Sequence, residues 1–279
     1  MKISIITPVY NSVNTLEKTI LSVISQEMKS ELEYIVVDGG STDGTLDIIN
    51  QYSDKIDIFI SEPDKGVYDA MNKGVKLATG DVVGIINSDD WYNDGALKVV
   101  ESILNQEPDK SIIYSPIDYY LNDKYLNTFV PGELKKILIR FPLNHPSCFV
   151  KKSVYDSVGL FDLSYKINAD YDFIFRAYIS GLGFRYVETP LASYSLNGMS
   201  GNPLNKFKLI LESWKVGSKF AREESSNLVI ERNKYYFYWL LQEALIFPLK
   251  LFMNPQFKTI KAFLRNRIGK LPSDQYGTW

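Results

Sequence analysis

The run Val82-Val83-Gly84-Ile85-Ile86-Asn87-Ser88-Asp89-Asp90-Trp91 closes a short apolar segment with two adjacent carboxylates and an indole. An apolar run this short reads as a buried strand. In an open α/β sheet, ligands bind in the crevice beyond the carboxyl ends of the strands. Two acids there can hold a hard divalent cation, which takes carboxylate oxygen and keeps positions open for phosphate. A solvated Asp-Asp turn has the same local sequence, so the reading needs support from the rest of the chain.

That support comes from two other strand ends. Thr7-Pro8-Val9-Tyr10-Asn11 follows the apolar run Ile3 to Ile6, and Asp38-Gly39-Gly40-Ser41-Thr42-Asp43-Gly44-Thr45 follows Tyr34 to Val37. Three polar loops at strand ends would converge on one crevice suited to a nucleotide. The chain carries neither a Gly-x-x-x-x-Gly-Lys-Ser/Thr run nor a Gly-x-Gly-x-x-Gly run, so phosphate charge must be met mainly by a cation. Asp38 and Asp64 can accept hydrogen bonds from base or ribose edges, and Lys65 is placed to reach phosphate.

The elements that must position these groups follow from periodicity. Ile3 to Ile6 reads as a first strand stopped by Pro8, and Asn14-Thr15-Leu16-Glu17 has capping spacing ahead of a helix to about Gln26. Tyr34 to Val37 and Ile56 to Ile60 read as strands, while Leu46 to Tyr52 and Val67 to Leu77 read as helices, the latter stopped by Gly80. This alternation predicts a mostly parallel, doubly wound α/β sheet. Further on, a helix is expected over Gly95 to Asn105 and a strand over Ser111 to Tyr114. Tyr119 to Asn127 reads as an edge hairpin, Lys151 to Val158 as a short helix, Ile167 to Arg176 as a helix and Phe184 to Val187 as a strand.

Composition limits the function classes. The chain has 279 residues, 45% of them hydrophobic, and a net charge of −2, which suits one large domain with an appendage and disfavours a nucleic-acid groove. A single cysteine, Cys148, excludes a disulfide framework and suits a reducing compartment. The apolar run at the start is too short for a signal peptide, and no stretch is long and clean enough for an ordinary transmembrane helix. A cytoplasmic location is the expectation.

Several runs taken together resemble the family 2 glycosyltransferases of the GT-A fold. They are Pro8-Val9-Tyr10-Asn11, Val36 to Thr45, Glu62-Pro63-Asp64-Lys65-Gly66, Ala70-Met71-Asn72-Lys73-Gly74 and Asn87-Ser88-Asp89-Asp90. His145-Pro146-Ser147 and Ala169-Asp170-Tyr171-Asp172 are similar to later landmarks of its bacterial polysaccharide branch, so the resemblance spans about residues 3 to 200. It implies that Pro8, Tyr10, Asn11, Asp38, Asp64 and Asn72 line the nucleotide pocket, and that Asp89 and Asp90 take the Asp-x-Asp role. Asp90 aligns with the direct metal ligand, with Ser88 standing where the first acid often sits. The cation expected is Mn²⁺ or Mg²⁺. The family's base lies in a Glu-Asp pair, here Ala169-Asp170, which makes Asp170 the general base and Asp172 its competitor.

The resemblance further implies an inverting enzyme that moves a sugar from a nucleotide diphosphate, UDP-linked by expectation, to a glycan hydroxyl in bacterial surface polysaccharide assembly. A sugar nucleotidyltransferase and a non-catalytic binding subunit are the alternatives; the first normally opens with a glycine-rich phosphate loop that residues 7 to 14 lack. His145, the single histidine, and Trp91 are the acceptor-side candidates. A packing role for His145 and a loop-anchoring role for Trp91 stay open beside these readings.

From about Asn205 the composition turns aromatic, basic and helical. Tyr235 to Pro248 is followed by Lys250, Lys258, Lys261, Arg265, Arg267 and Lys270. An interfacial helix on the inner face of the membrane, near a polyprenyl-diphosphate-linked acceptor, is one reading. A helical pair that covers the sheet or forms a dimer needs the same apolar face. The expected division is a GT-A domain over 1–204, with a nucleotide-sugar half over 1–114 and an acceptor half over 115–204, then a helical region over 205–279.

Overall fold

The computed structural model describes residues 1–196, 205–219 and 226–252. The Gly198 to Pro203 loop and the basic residues Lys258 to Lys270 lie outside the described residues. The chain divides into two compact units, Met1–Gly132 with Leu143–Ser195, and Glu133–Pro142 with Leu196–Trp279.

In the first unit, chain order runs β1 (Lys2–Val9), α1 (Leu16–Ile24), β2 (Glu31–Asp38), α2 (Thr45–Gln51), β3 (Ile58–Ser61), α3 (Val67–Leu77) and β4 (Val82–Ile85). Then come β5 (Trp91–Tyr92), α4 (Ala96–Gln106), β6 (Ile112–Tyr114), β7 (Ile117–Leu121), β8 (Lys124–Phe129) and β9 (Cys148–Lys151). The unit closes with α5 (Lys152–Val158), α6 (Ala169–Ile179), β10 (Phe184–Tyr186) and β11 (Ala192–Ser195). Among the described residues the strands form a seven-stranded sheet of order β10-β6-β9-β4-β1-β2-β3 and a four-stranded sheet of order β5-β11-β7-β8. In the larger sheet β9 runs antiparallel to both neighbours, and the remaining pairs are parallel.

After β1 the chain winds outward through β2 and β3, then crosses back to add β4 on the opposite side of β1. The reversal makes the carboxyl ends of β1 and β4 the switch point where such sheets bind ligands. Ile3, Ile5, Ile6, Val36, Val37, Val83 and Ile85 are buried along these strands, as two-sided burial of a parallel sheet demands.

Several local expectations change. Pro8 does not stop the first strand: β1 continues to Val9, and Pro8 lies opposite Val37. The Ile6 carbonyl bonds Ile86 on the β4 side, so Pro8, two residues on, points the same way beyond the end of β4. Its missing N–H therefore costs no ladder bond. Thr15, not Asn14, precedes α1, and no side chain caps it; the Ser12 carbonyl closes the turn instead, at 3.1 and 3.0 Å from the amides of Thr15 and Leu16. Gly80 is not a helix stop, because α3 ends at Leu77. It is needed where the chain passes β1: a Cβ there would meet Ser4 Oγ at 2.6 Å and the Lys2 carbonyl at 2.9 Å. The expected hairpin is present as β7–β8, with β8 at the edge of the smaller sheet.

In the second unit, α7 (Asn205–Ser218) and α8 (Ser226–Phe252) pack through Ile210, Tyr236 and Trp239. Residues 133–142 belong with these helices rather than with the sheet unit. Arg232, fully buried on α8, reaches the Leu138 carbonyl, Lys136 pairs with Glu231 at 3.5 Å, and Arg140 lies 5.9 Å from the Tyr235 ring. The face of α8 opposite Arg232, Tyr236, Trp239 and Glu243 exposes Ile230, Phe237, Leu241 and Leu245.

At the amino-terminal edge of the larger sheet, Glu33 ties three segments together. It is 3% exposed and accepts from Ser4 Oγ at 2.5 Å, the Thr79 amide at 2.8 Å and Thr79 Oγ1 at 2.5 Å, while Lys2 lies 3.0 Å away. Burial alone would raise this carboxyl, but the bonds from Ser4 and Thr79 and the Lys2 ammonium bring it from 4.5 down to about 2. A folded value below the unfolded one stabilises the fold above the ordinary carboxylate range, and the gain fades as pH falls through the folded value. Glu33→Gln is therefore expected to lower the urea midpoint at neutral pH, with the gap to wild type closing as pH drops from 4.5 towards 2. Urea titrations across that range check it; a gap that does not change with pH would contradict the assignment.

Candidate functional site

The three loops at the carboxyl ends of β1, β2 and β4 are laced together by side chains. Asp38, the last residue of β2, is fully buried. Its carboxylate accepts the Gly40 amide at 3.0 Å, the Ser41 amide at 3.1 Å, Ser41 Oγ at 2.5 Å and Ser61 Oγ at 2.7 Å. Ser41 in turn accepts the Asn11 amide at 2.8 Å, and Asn11 Oδ1 takes the Thr42 amide at 2.9 Å. Thr45 Oγ1 accepts the Ser12 amide at 2.7 Å, and Asp43 takes the Val13 amide at 3.2 Å. The third loop joins through Ser12 Oγ and Ser88 Oγ, 2.7 Å apart.

Asp38 thus organises its loop, and its oxygens are already engaged by protein groups. The same carboxylate is the one expected to read a base or ribose edge. Pro8 is buried within β1. Asn72 is 6% exposed, and its amide donates to the Phe161 carbonyl and accepts the Phe161 amide, both at 2.9 Å. Both residues are buried in the sheet unit. A motif marks residues that hold a loop as readily as residues that touch a ligand, so sequence alone does not separate them.

Four of the expected nucleotide residues do reach the surface. Tyr10 is 62% exposed, Asn11 and Lys65 are exposed, and Asp64 is half-buried. Asn11 adopts φ of 47°, the left-handed region that asparagine tolerates, which turns the chain away from β1. A Cβ built on Gly39 would meet Asp64 Oδ2 at 2.4 Å and the Tyr10 ring at 3.4 Å, so these two side chains close over a glycine. Asp64 Oδ1 accepts the Gly66 amide at 2.7 Å.

At the tip of β4, Asp89 is half-buried and Asp90 fully buried. Asp90 Oδ1 accepts the Ser195 amide at 3.0 Å, Oδ2 accepts Asn87 Nδ2 at 2.9 Å, and its carbonyl takes Thr19 Oγ1 at 2.6 Å. Desolvation raises the carboxyls of both acids, and the adjacent Asp89 charge raises Asp90 further. Among the described residues no group of three or more His, Cys, Asp or Glu side chains could hold a metal ion. A cation would therefore take one or two carboxylates from the protein and complete its shell with phosphate and water, the usual arrangement for Mg²⁺. The pair fits such an ion, because a positive charge relieves both the desolvation and the mutual repulsion. Asp89 is the more exposed of the two and Asp90 the more buried.

Asp170 and Asp172 both lie in the first turn of α6. Asp172 is fully buried and pairs with Arg176 Nε at 2.8 Å; Arg176 also donates to the carbonyls of Val158, Gly159 and Leu160. Asp170 is half-buried, and its Oδ1 meets the Tyr171 amide at 2.9 Å and the Tyr68 hydroxyl at 3.1 Å. Tyr68 was not marked by sequence reasoning, although it stands four residues before Asn72 on α3 and so shares its face.

His145 sits in a single 3₁₀ turn before β9, 6% exposed and edge-on to Phe161 with centroids 5.4 Å apart. Its Nε2 finds no hydrogen-bond partner among the described residues, and burial pushes its pKa down to about 4, which favours the uncharged ring at neutral pH. The Lys18 ammonium lies 3.2 Å over the Trp91 ring, and the Tyr120 ring lies 4.8 Å from it.

Comparison with known proteins follows this geometry. A family model described as Glycosyl transferase family 2 matches residues 4–150. A "PGL/p-HBAD biosynthesis glycosyltransferase" from Mycobacterium bovis is 32% identical over 210 residues, 73% of this chain and 80% of the relative. Among solved structures, S. aureus TarS 1-349 in complex with UDP-GlcNAc gives a TM-score of 0.66 at 20% identity, covering 92% of this chain and 78% of that one. The mannosyltransferase PcManGT from Pyrobaculum calidifontis, in complex with GDP-Man and Mn²⁺, gives 0.66 at 16% identity, covering 95% and 81%. Against the longer TarS chain this protein spans 43% of its length. With a largely parallel sheet that matches GT-A glycosyltransferases and motifs that match the family model, this chain belongs to glycosyl transferase family 2.

Proposed function

We propose that this chain is an inverting, divalent-cation-dependent glycosyltransferase that moves a sugar from a UDP-linked donor to a glycan hydroxyl in bacterial surface polysaccharide assembly. The observation that carries the reading is the Asp89–Asp90 pair at the switch point. Two desolvated neighbouring acids, with no third acid, histidine or cysteine grouped with them among the described residues, leave a cation's shell for a diphosphate to complete. The UDP-GlcNAc and GDP-Man bound by the structural neighbours, and the Mn²⁺ bound by one, support this donor class. A bound Mn²⁺ or Mg²⁺ would neutralise charge on the departing diphosphate.

The chain's own residues supply the rest. Asp89 and Asp90, the latter fixed by Asn87 and Ser195, would hold that cation. Tyr10, Asn11, Asp64 and Lys65 hold the nucleotide side. Asp170 takes the proton from the attacking hydroxyl as that oxygen bonds the anomeric carbon and the bond to the diphosphate breaks. A single displacement with one base inverts the centre.

Asp89→Asn is expected to abolish the metal dependence of UDP binding, measured by calorimetry with and without Mn²⁺; UDP binding still tightened by Mn²⁺ in that variant would sink the cation assignment. Asp170→Asn should slow UDP release from UDP-sugars about 10² to 10⁴-fold with donor affinity near normal. Asp172→Asn, by contrast, should lower the melting temperature, because it disturbs a buried pair. A large kinetic loss in Asp172→Asn with near-normal turnover in Asp170→Asn would reverse the roles.

We also propose that residues from about 205 onward dock the enzyme on the cytoplasmic face of the membrane, beside a polyprenyl-diphosphate-linked acceptor. No helix among the described residues is long and apolar enough to cross a bilayer. The outward face of α8, with Phe237 63% and Leu245 68% exposed, supports lying in the interface. The basic residues from Lys250 to Lys270 add about 1 kcal/mol each near anionic lipid. Phe237→Asp with Leu241→Asp should release the full chain from anionic vesicles in flotation, and wild-type binding should weaken in high salt. A wild-type chain that never floats, or a double variant that floats as well as wild type, would rule docking out.

A further inference from the structure

Tyr68 carries a hydroxyl that packing does not require. The residue is 8% exposed on the first turn of α3, and its ring lies against Phe161 with centroids 5.7 Å apart. A phenylalanine would fill that space equally well. The hydroxyl instead lies 2.5 Å from the Ile167 carbonyl and 3.1 Å from Asp170 Oδ1. Buried tyrosine hydroxyls need partners, and this one shares its single proton between two acceptors on the segment that opens α6.

The same face of α3 grips that segment a second time. Asn72, one helical turn after Tyr68, takes both backbone groups of Phe161. The chain from Phe161 to Asp170 is thus held at Phe161, Ile167 and Asp170 by two side chains of one helix. That helix starts directly after Asp64, Lys65 and Gly66, the loop proposed to meet the nucleotide. We propose that Tyr68 is a positioning residue for Asp170, fixing the carboxylate's rotation and its height above the crevice through α3. The proposal rests on the reading of Asp170 as the base.

The Tyr171 amide and the Tyr68 hydroxyl meet the same oxygen, Oδ1, from two different elements. A carboxylate held at one oxygen from two directions cannot swing about its Cβ–Cγ bond without breaking one contact. The shorter bond, to Ile167, meets the chain three residues before Asp170, so loss of the hydroxyl removes one contact from the carboxylate and one from the backbone that leads to it. A misplacement near 1 Å can cost about 10²-fold in rate.

The test is a double-mutant cycle on UDP release from the best substrate in a panel of UDP-sugars. Tyr68→Phe should lower kcat about 10- to 100-fold and leave the donor KM within about twofold. In the Asp170→Asn background, Tyr68→Phe should add less than about twofold, because residues that act through one group are not additive. Phenylalanine keeps the ring on Phe161, and UDP binding by each variant reports an intact fold. Slow Asp170→Asn whose loss multiplies with that of Tyr68→Phe overturns the proposal alone, as does a Tyr68→Phe enzyme with unchanged kcat. Near-normal turnover by Asp170→Asn overturns both the proposal and the base assignment beneath it.

Discussion

The Asp38 carboxylate is the constraint on which the crevice depends. It is buried at the end of a central strand, where an unpaired charge would be costly, and it is matched instead by amides and hydroxyls from its own loop and from the end of β3. Because Ser41 passes one contact on to Asn11, the β1 loop is fixed by the same centre. Ser12 then carries the connection to Ser88 beside the acidic pair. Polar networks of this kind are rigid when fully satisfied, since each member has a specific place to be. That rigidity fixes the loop that carries the adjacent acids Asp89 and Asp90.

Two kinds of buried acid therefore coexist in the sheet unit. Asp38, Glu33 and Asp172 are compensated by protein groups and hold segments together. Asp89 and Asp90 are only partly compensated, and their carboxyls are pushed upward. That contrast separates architecture from chemistry more sharply than burial does, because Asp38 and Asp90 are equally hidden from solvent. Perturbed acids in a cleft are where function concentrates.

Most of the larger sheet was legible from the chain alone, because β1, β2 and β4 are buried apolar runs and α3 keeps its bounds, Val67–Leu77. The antiparallel strand β9 was missed. Its four residues follow His145-Pro146-Ser147 directly and carry no turn signal of their own, so they read as a lead-in to the next helix. β11 was missed for the same shortness. At the site, the convergence of three loops was legible because each ends an apolar run. The separate jobs of Asp38, Asn72 and Asp64 were not, since burial and partner choice depend on contacts between residues far apart in sequence, such as Asn72 with Phe161. Tyr68 escaped because its target lies a hundred residues away in an element whose placement periodicity cannot give.

The reversed direction of β9 has a consequence for how this frame can change. β6 and β9 are hydrogen-bonded neighbours, with Tyr114 opposite Cys148, so the chain leaves the sheet after Tyr114 and returns beside the point of departure. Everything from Ser115 to Ser147 is an excursion pinned shut at its base, where Ser147 Oγ bonds the Ser115 carbonyl at 2.9 Å. The entropy of closing such an excursion grows only with the logarithm of its length. Extra residues at the turn between β7 and β8 would add little to that cost, because β8 is the edge of the smaller sheet. β7 has no such freedom, since it is paired on both sides, with β11 and with β8.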